Sequence, residues 1–341
     1  MIPATRVPLR RAAAMAALAL APLASAWGQS SNIIYGRIDI GVRHMKDVRK
    51  PELPAWRIDD SSRGRIGFRG VEDLGDGLAA IYQLEHRFFA DTGEQDGDRM
   101  WKDKSWVGLT QRGLGSVRFG RMSSPVNERG VAGRFEAFGG DSLAGMGTRG
   151  AAQNEKWDNT VMLQSAYFGG FSVAAGYAMG EGTNQKDAYG LQAEYKGERL
   201  IVSLAWQRDT RAATATRAAD DWQTAALSAT YDFDAFALYG IAARSWDLGT
   251  SDAGRAATYT VGASMPAGTG QVRLSYQAST QRLFNGADRS ADAQRHRGSL
   301  GYYYPLSRLT SLNFSLLHDR YRTATGRETG SGGEVALRKN F

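Results

Sequence analysis

The amino-acid sequence predicts an all-β chain that folds as a sixteen-stranded antiparallel transmembrane β-barrel. Three observations support this prediction: an N-terminal export signal, side chains that alternate in polarity with a period of two, and short turns that alternate with longer polar connections. In a transmembrane barrel, lipid-facing and lumen-facing residues alternate along every strand. Short turns on one side of the membrane alternate with longer loops on the other.

The first 26 residues have the features of a secretory signal peptide. Three arginines lie among the first eleven residues, residues 12–24 are predominantly apolar, and small residues precede a cleavage site after Ala26. An apolar run of this length is too short to cross a membrane as a helix. We therefore expect residues 1–26 to be removed and residues 27–341 to form the barrel domain.

The composition narrows the classes of function. The 341 residues carry a formal net charge of +7 without a run of five basic residues, so nucleic-acid binding is not expected. The chain has no Cys, and its four His residues are far apart in the sequence, so neither a metal site nor a cofactor is expected. The 41 Gly, 8 Trp, 14 Tyr and 13 Phe suit glycine turns and the aromatic girdles of a membrane barrel.

The alternation is clear from the start of the predicted barrel. Ile34, Ile38 and Val42 share one face of a strand, whereas Arg37 and Asp39 share the other. The same pattern recurs in residues 63–70, 78–88, 171–179, 200–206, 312–316 and 335–341. One apolar and one polar face predict lipid outside the barrel and water inside it. A soluble β-sandwich would alternate as well, so alternation alone leaves that fold open.

The connections between these segments alternate in length. Short turns occur at residues 72–77, 169–170, 196–198, 232–234, 266–270 and 305–308. Long polar connections cover roughly residues 43–60, 90–100, 123–153, 180–187, 208–220, 247–256, 282–294 and 320–331. This regular placement favours a membrane barrel over a sandwich.

Five segments resemble the general porins of Gram-negative bacteria, of the neisserial and β-proteobacterial type. They are residues 31–42, 62–78, 106–109, 113–121 and 337–341. The resemblance implies an outer-membrane channel for passive diffusion of small hydrophilic solutes and ions. It also implies a homotrimer, contact with outer-membrane lipids and lipopolysaccharide, and insertion by the barrel assembly machinery. Phe341 matches the family's C-terminal assembly signal.

The resemblance further implies that the third long loop, residues 123–153, folds inward and narrows the channel. Its segment at residues 138–141 resembles the loop motif of the family. Many members carry an acid directly before the Phe of this motif, whereas this chain has Ala137 there and an acid one place earlier. The loop acids expected at the constriction are Glu128, Glu136 and Asp141.

A water-filled pore requires a polar lining, and charges at its narrowest point steer ions. Six basic residues are candidates for a wall that faces the loop: Arg37, Arg63, Arg65, Arg69, Arg121 and Lys156. The resemblance places Arg65 and Arg121 at wall positions of the family. For Arg63 and Arg69 a purely structural role is an open alternative, with Glu72, Asp73 or Glu85 as ion-pair partners. An excess of positive charge predicts a weak preference for anions.

Two other classes of function remain as alternatives. A barrel hydrolase requires a nucleophile beside a base, and the best pair here is Ser315 with His318. Residues three apart on a strand face opposite sides, so this pair is unsuitable and no enzymatic activity is expected. An adhesin or receptor that acts through its loops is the second alternative, and the modest loop lengths argue against it.

Overall fold

The computed structural model describes residues 30–46, 52–140, 142–145, 154–181, 187–211, 220–248, 254–282, 293–324 and 326–341. The predicted signal peptide, residues 1–26, and the predicted loop acid Asp141 lie outside the described residues. Among the residues that are described, no helix is long and apolar enough to cross a membrane.

Seventeen strands in the described residues form one antiparallel sheet that closes on itself. They are β1 (Ser31–Met45), β2 (Trp56–Asp60), β3 (Gly64–Gly75), β4 (Leu78–Phe88), β5 (Lys104–Gln111), β6 (Gly115–Ser123), β7 (Lys156–Ser165), β8 (Phe171–Ala178), β9 (Ala188–Lys196), β10 (Leu200–Arg211), β11 (Asp220–Asp232), β12 (Ala237–Leu248), β13 (Gly254–Ala267), β14 (Gly270–Arg282), β15 (Ala293–Pro305), β16 (Thr310–Thr323) and β17 (Arg327–Asn340). Two short helical turns, Val126–Gly130 and Gly133–Phe135, lie between β6 and β7.

The barrel is sixteen-stranded, because β2 and β3 are two halves of one strand. Both pair with β1: Asp60 of β2 lies opposite Ile40, and Arg65 of β3 lies opposite Arg37. The predicted sixteen-stranded antiparallel barrel is therefore confirmed. Two predicted loop boundaries were wrong, since β2 lies within the predicted connection 43–60 and most of residues 320–331 belong to β16 and β17. Residues 320–323 and 327–331 are largely polar and continue β16 and β17 beyond the apolar zone, whereas β2 presents Trp56 and Ile58 on the outward face.

The two faces of the sheet have opposite character. Along β8, Phe171, Val173 and Tyr177 are exposed on the outward face, while Ser172 and Ala174 between them are buried on the inward face. The outward face thus presents large apolar side chains all around the barrel, which is unfavourable in water and favourable in lipid.

The barrel closes where β1 meets β17. The amide of Gly36 donates to the carbonyl of Phe341 (2.9 Å), and the amide of Phe341 donates to the carbonyl of Gly36 (3.1 Å). The ring of Phe341 lies against Gly36, where a Cβ atom would come within 2.3 Å of Phe341 Cζ. The seam therefore requires glycine at this position, because the aromatic ring occupies the space of its side chain.

Candidate pore constriction

The third loop leaves β6 and enters the lumen. Its ends are joined at the wall, where the amide of Ser124 donates to the carbonyl of Glu155 (3.0 Å). The first helical turn then contacts the inward face of β10 and β11: the amide of Val126 donates to Gln207 Oε1 (3.0 Å), and Ser228 Oγ donates to the carbonyl of Gly130. The described part of the predicted loop, residues 123–140 and 142–145, thus folds into the barrel.

Apolar packing fixes the loop against that wall. Val126 and Phe135 are fully buried, and they pack on Ala205, Ala226 and Ile241. These three residues lie on the inward face of β10, β11 and β12, where polar or small side chains otherwise prevail. Burial of apolar surface contributes about 25 cal/mol per Å², so this patch stabilises the loop against the wall.

Ion pairs add to the anchor on β9. Arg129 Nη1 lies 3.4 Å from Glu194 Oε1, and Arg134 forms an ion pair with the same carboxylate. Tyr167 also donates a hydrogen bond to Glu194. Glu194 is almost fully buried, so its charge requires these partners. The two loop arginines are thereby neutralised and held at the wall.

The predicted loop acid Glu136 turns away from the channel. Its Oε2 accepts hydrogen bonds from the amides of Gly140 (2.8 Å) and Phe138 (3.1 Å), and only 2% of the residue is exposed. Burial raises the pKa of Glu136, although these amide bonds oppose the shift. Gly139 and Gly140 have φ of +74° and +70°, which the bend around Glu136 requires. Glu136 therefore shapes the loop rather than lining the water path.

Glu128 is the described loop acid that stays beside basic residues of the channel wall. Its Oε1 lies 3.7 Å from Arg118 Nη1. Burial alone would raise the pKa of Glu128, but Arg118, Lys104 and Lys156 outweigh burial and lower it. Glu128 is therefore ionised at neutral pH and offsets part of the positive charge around it.

Three arginines form a ladder across adjacent strands. Arg37 of β1 lies directly opposite Arg65 of β3, which lies directly opposite Arg87 of β4. All three are on the inward face, because Ile38 and Phe68 occupy the outward one. Directly opposed residues have Cβ atoms about 5 Å apart, so three like charges are concentrated on one side of the lumen.

A second row supports this arginine ladder. Tyr35, Gly67 and Glu85 lie opposite one another on the same three strands, two residues along from the arginines. The ring of Tyr35 extends over Gly67, and its hydroxyl donates to Glu85 Oε2 (2.7 Å). At the ends of the ladder, Arg37 Nε donates to Asn340 Oδ1 (3.0 Å), and Arg87 Nε lies 3.6 Å from Asp103 Oδ1.

The structure places the other predicted wall residues away from the ladder. Arg63 pairs with Asp60 (3.1 Å) and stacks on the ring of Phe89, so its ion-pair partner is none of the predicted acids. Arg69 lies over the ring of Tyr35 on the inward face.

Lys156 and Arg121 are each held by an acid. Lys156 Nζ lies 2.9 Å from Asp103 Oδ1 and donates to Ser123 Oγ. Arg121 pairs with Asp158 (2.5 Å) beside a register shift that follows Gly120 (φ +124°). Of the six predicted basic residues, the structure therefore brings Arg37 and Arg65 into direct register.

Arg87 was missing from the predicted wall, although it lies on the same polar stripe as Glu85. The signal that identifies it is register: the tight turn between β3 and β4 brings Arg87 opposite Arg65. Several other inward arginines are paired with acids, as Arg87 is with Asp103: Arg43 with Glu334 and Asp59, Arg338 with Asp39, and Arg295 and Arg297 with Asp319. These pairs add no net charge to the lumen.

A closed sheet with an apolar outside, a polar inside and a loop across its lumen defines a membrane channel. The chain matches the model of the Gram-negative porin family over residues 12–324. It is 29% identical to outer membrane porin protein 32 of Delftia acidovorans, over 91% of each chain. It is 28% identical to an outer membrane porin protein of Bordetella pertussis, over 92% of this chain and 97% of that protein.

Among solved structures, the chain is similar to one described as an anion-selective porin from Comamonas acidovorans. The TM-score is 0.77 at 26% identity, over 92% of this chain and 100% of the other. The chain belongs to the Gram-negative porin family. It is an outer-membrane porin whose channel serves passive diffusion, and the predicted family, fold and location are confirmed.

Proposed function

We propose that this channel passes anions in preference to cations and that the arginine ladder sets the preference. The observation that carries the proposal is the direct register of Arg37, Arg65 and Arg87 on the inward face of three adjacent strands. An anion in the lumen is attracted by the ladder and a cation is repelled by it, although Asp103 offsets part of the charge at Arg87. The likeness to a porin described as anion-selective supports the same sign.

The loop supplies little negative charge to oppose the ladder. Glu136 is buried against the wall, and Glu128 lies beside Arg118 and Lys104. Water and salt in the lumen screen the field over about 10 Å at 0.1 M ionic strength. The preference is therefore weak to moderate and grows as the salt concentration falls.

Reversal potentials across a potassium chloride gradient in a planar bilayer test this proposal. The reversal potential should have the sign of a channel that is more permeable to chloride than to potassium. The chloride-to-potassium permeability ratio should increase when both salt concentrations are lowered. A potential of the opposite sign for the wild-type channel would refute the proposal.

The two loop glutamates provide an internal comparison. Replacing Glu128 with Gln should raise the preference for chloride, because it removes a negative charge beside Arg118. Replacing Glu136 with Gln should leave the selectivity unchanged, because that side chain does not face the water path. Both effects are measured as changes in reversal potential, and equal shifts in the two variants would contradict this placement of the loop.

We also infer a homotrimer that is inserted by the barrel assembly machinery and surrounded by outer-membrane lipids and lipopolysaccharide. Family membership and the apolar outward face support this inference. We infer no enzymatic activity, since Ser315 is buried on the inward face of β16 while His318 is exposed on the outward face. Among the described residues, no cluster of three His, Asp or Glu side chains is arranged to hold a metal ion.

Deletion of Phe341 should lower the amount of assembled trimer. The deletion removes both backbone hydrogen bonds to Gly36 and the ring that covers it, so the seam between β1 and β17 loses its last pair. Unheated gel electrophoresis of outer-membrane fractions measures the trimer, and the periplasmic pool reports whether export is intact. Substitution of the exposed Lys339 is the matched control. Wild-type trimer levels after the deletion would refute this role of Phe341.

A further inference from the structure

The tip of the third loop packs on two glycines of the barrel wall. Ala137 lies against Gly262 of β13, where a Cβ atom would come within 3.0 Å of Ala137 Cβ. The ring of Phe138 lies against Gly301 of β15, where a Cβ atom would come within 2.5 Å of Phe138 Cε1. Because both glycines lack a side chain, the loop tip lies close to the wall and covers a space beneath it.

This space is a cavity of about 10 Å³ between the loop tip and β14 to β17. A cavity of that volume holds about one group of the size of a water molecule. The residues around it include Phe138, Ser142, Arg273, Tyr303, Asn313 and Arg338, and none of the described lining residues is acidic. Two guanidinium groups thus border one small enclosed space, where their charges repel each other.

Arg273 is held in place without an ion-pair partner. Its Nε donates to Gln271 Oε1 (2.9 Å), and its guanidinium carbon lies 4.7 Å from the centre of the Tyr303 ring. Among the described residues, no carboxylate oxygen lies within 4 Å of its nitrogens, and Glu136 attracts it only from farther away. The two terminal nitrogens of Arg273 therefore keep N–H donors for another partner. A partly buried charge without a partner is unfavourable, so this position favours an anion.

Further donors come from the loop and from the wall. Ser142 Oγ accepts a hydrogen bond from the amide of Gly145 (2.9 Å), which leaves its hydroxyl proton to be donated. Asn313 adds an amide group with two N–H donors. Arg338 is fixed by Asp39, which binds its Nε (2.9 Å) and Nη2 (2.7 Å) and offsets part of its charge. The cavity is therefore rich in donors on both sides.

We propose that this cavity binds one chloride ion, held by Arg273 from the wall and by Ser142 from the loop. A monatomic anion fits a space for one water-sized group, whereas phosphate and organic anions are larger. An ion that contacts both sides holds the loop tip on the wall. The site is separate from the arginine ladder on β1, β3 and β4, and the proposal does not depend on the ion preference of the channel.

Crystals of the barrel grown in sodium bromide test the site directly, because bromide replaces chloride and is located by its anomalous scattering. The wild type should show bromide within hydrogen-bond distance of Arg273, at an occupancy at least threefold higher than beside the exposed Arg112 or Arg308. Arg273→Gln should lose this peak, and the matched control Arg308→Gln should keep it. No peak in the wild type, or a peak that persists in Arg273→Gln, would overturn the proposal. Equal occupancy beside the exposed arginines would show an adventitious ion only.

Thiol labelling tests the effect of the ion on the loop in solution. The chain has no Cys, so Ala144→Cys places a single thiol in the buried loop tip. Its reaction with a neutral thiol reagent should be at least fivefold slower in sodium chloride than in sodium gluconate at equal ionic strength, because gluconate is too large for the cavity. Adding Arg273→Gln should abolish this difference.

Thr110→Cys is the control for the change of salt, because Thr110 lies on β5, away from the cavity. Its labelling rate should be the same in both salts. Equal rates for Ala144→Cys in chloride and gluconate would contradict a chloride ion that holds the loop tip. Neither experiment measures ion selectivity, so a failure here is distinct from a failure of the proposed ion preference.

Discussion

Replacing Arg65 and Arg87 together with Gln is expected to shift the channel toward cations. The double variant removes two of three positive charges from the arginine ladder. A charge about 5 Å from the ion's path in water contributes about 0.5 kcal/mol after screening at 0.1 M salt, so losing two charges reduces anion entry roughly fivefold. Reversal potentials at 0.1 M and 1 M salt measure the shift, which should be smaller at the higher concentration.

Arg121→Gln is the matched control for this experiment. Its guanidinium pairs with Asp158, and it lies outside the ladder. We expect a smaller shift than in the double variant, because one charge is removed instead of two and Arg99 still pairs with Asp158 (3.0 Å). If Arg121→Gln shifted the selectivity as much as the double variant, the ladder would not be the element that selects ions.

Replacing Phe135 with Ala should release the third loop from the wall and raise the conductance. Phe135 is fully buried between the loop and β10 to β12. Truncation of a buried Phe to Ala costs roughly 3–5 kcal/mol, so the variant loses much of the apolar packing between residues 126–135 and the wall. We expect larger and more variable single-channel conductance. We also expect trypsin to cleave at Arg129 or Arg134, since both arginines become accessible when the loop leaves the wall.

Phe171→Ala is the corresponding control, because Phe171 is 60% exposed on the outward face of β8. Its conductance and its resistance to trypsin should match those of the wild type. A Phe135→Ala channel with wild-type conductance and an intact loop would mean that the ion pairs to Glu194 hold the loop without the apolar patch.

The fold is largely predictable from the sequence because alternation is a local property. Ile34, Ile38 and Val42 define an outward face without any knowledge of the neighbouring strands, and the structure places them there. Strand ends are less predictable, since Arg320 and Arg322 are as polar as loop residues and yet continue β16. A strand that extends beyond the lipid no longer needs apolar side chains, so the pattern fades before the strand ends.

The constriction is less predictable because it depends on register and on the path of one loop. Strict alternation would group Arg121 with Val117 and Phe119 on the outward face. The resemblance to the family instead predicts that Arg121 lies at the channel wall. The burial of Glu136 follows from the bend of the third loop, which no periodic pattern encodes. Arg87 becomes recognisable only after the β3–β4 pairing has been fixed.

The seam between β1 and β17 has a consequence for how the barrel forms. Every other pairing in the sheet joins strands that are consecutive in the sequence or, for β1 and β3, separated by one short strand. At the seam, Arg37 and Asn340 are 303 residues apart. Closing a loop of this length carries the largest entropic cost of any contact in the fold, and non-local contacts slow folding. Until it closes, the sheet has two unpaired edges that are prone to aggregation. The chain therefore gains most from a chaperone that shields β1 and β17 together.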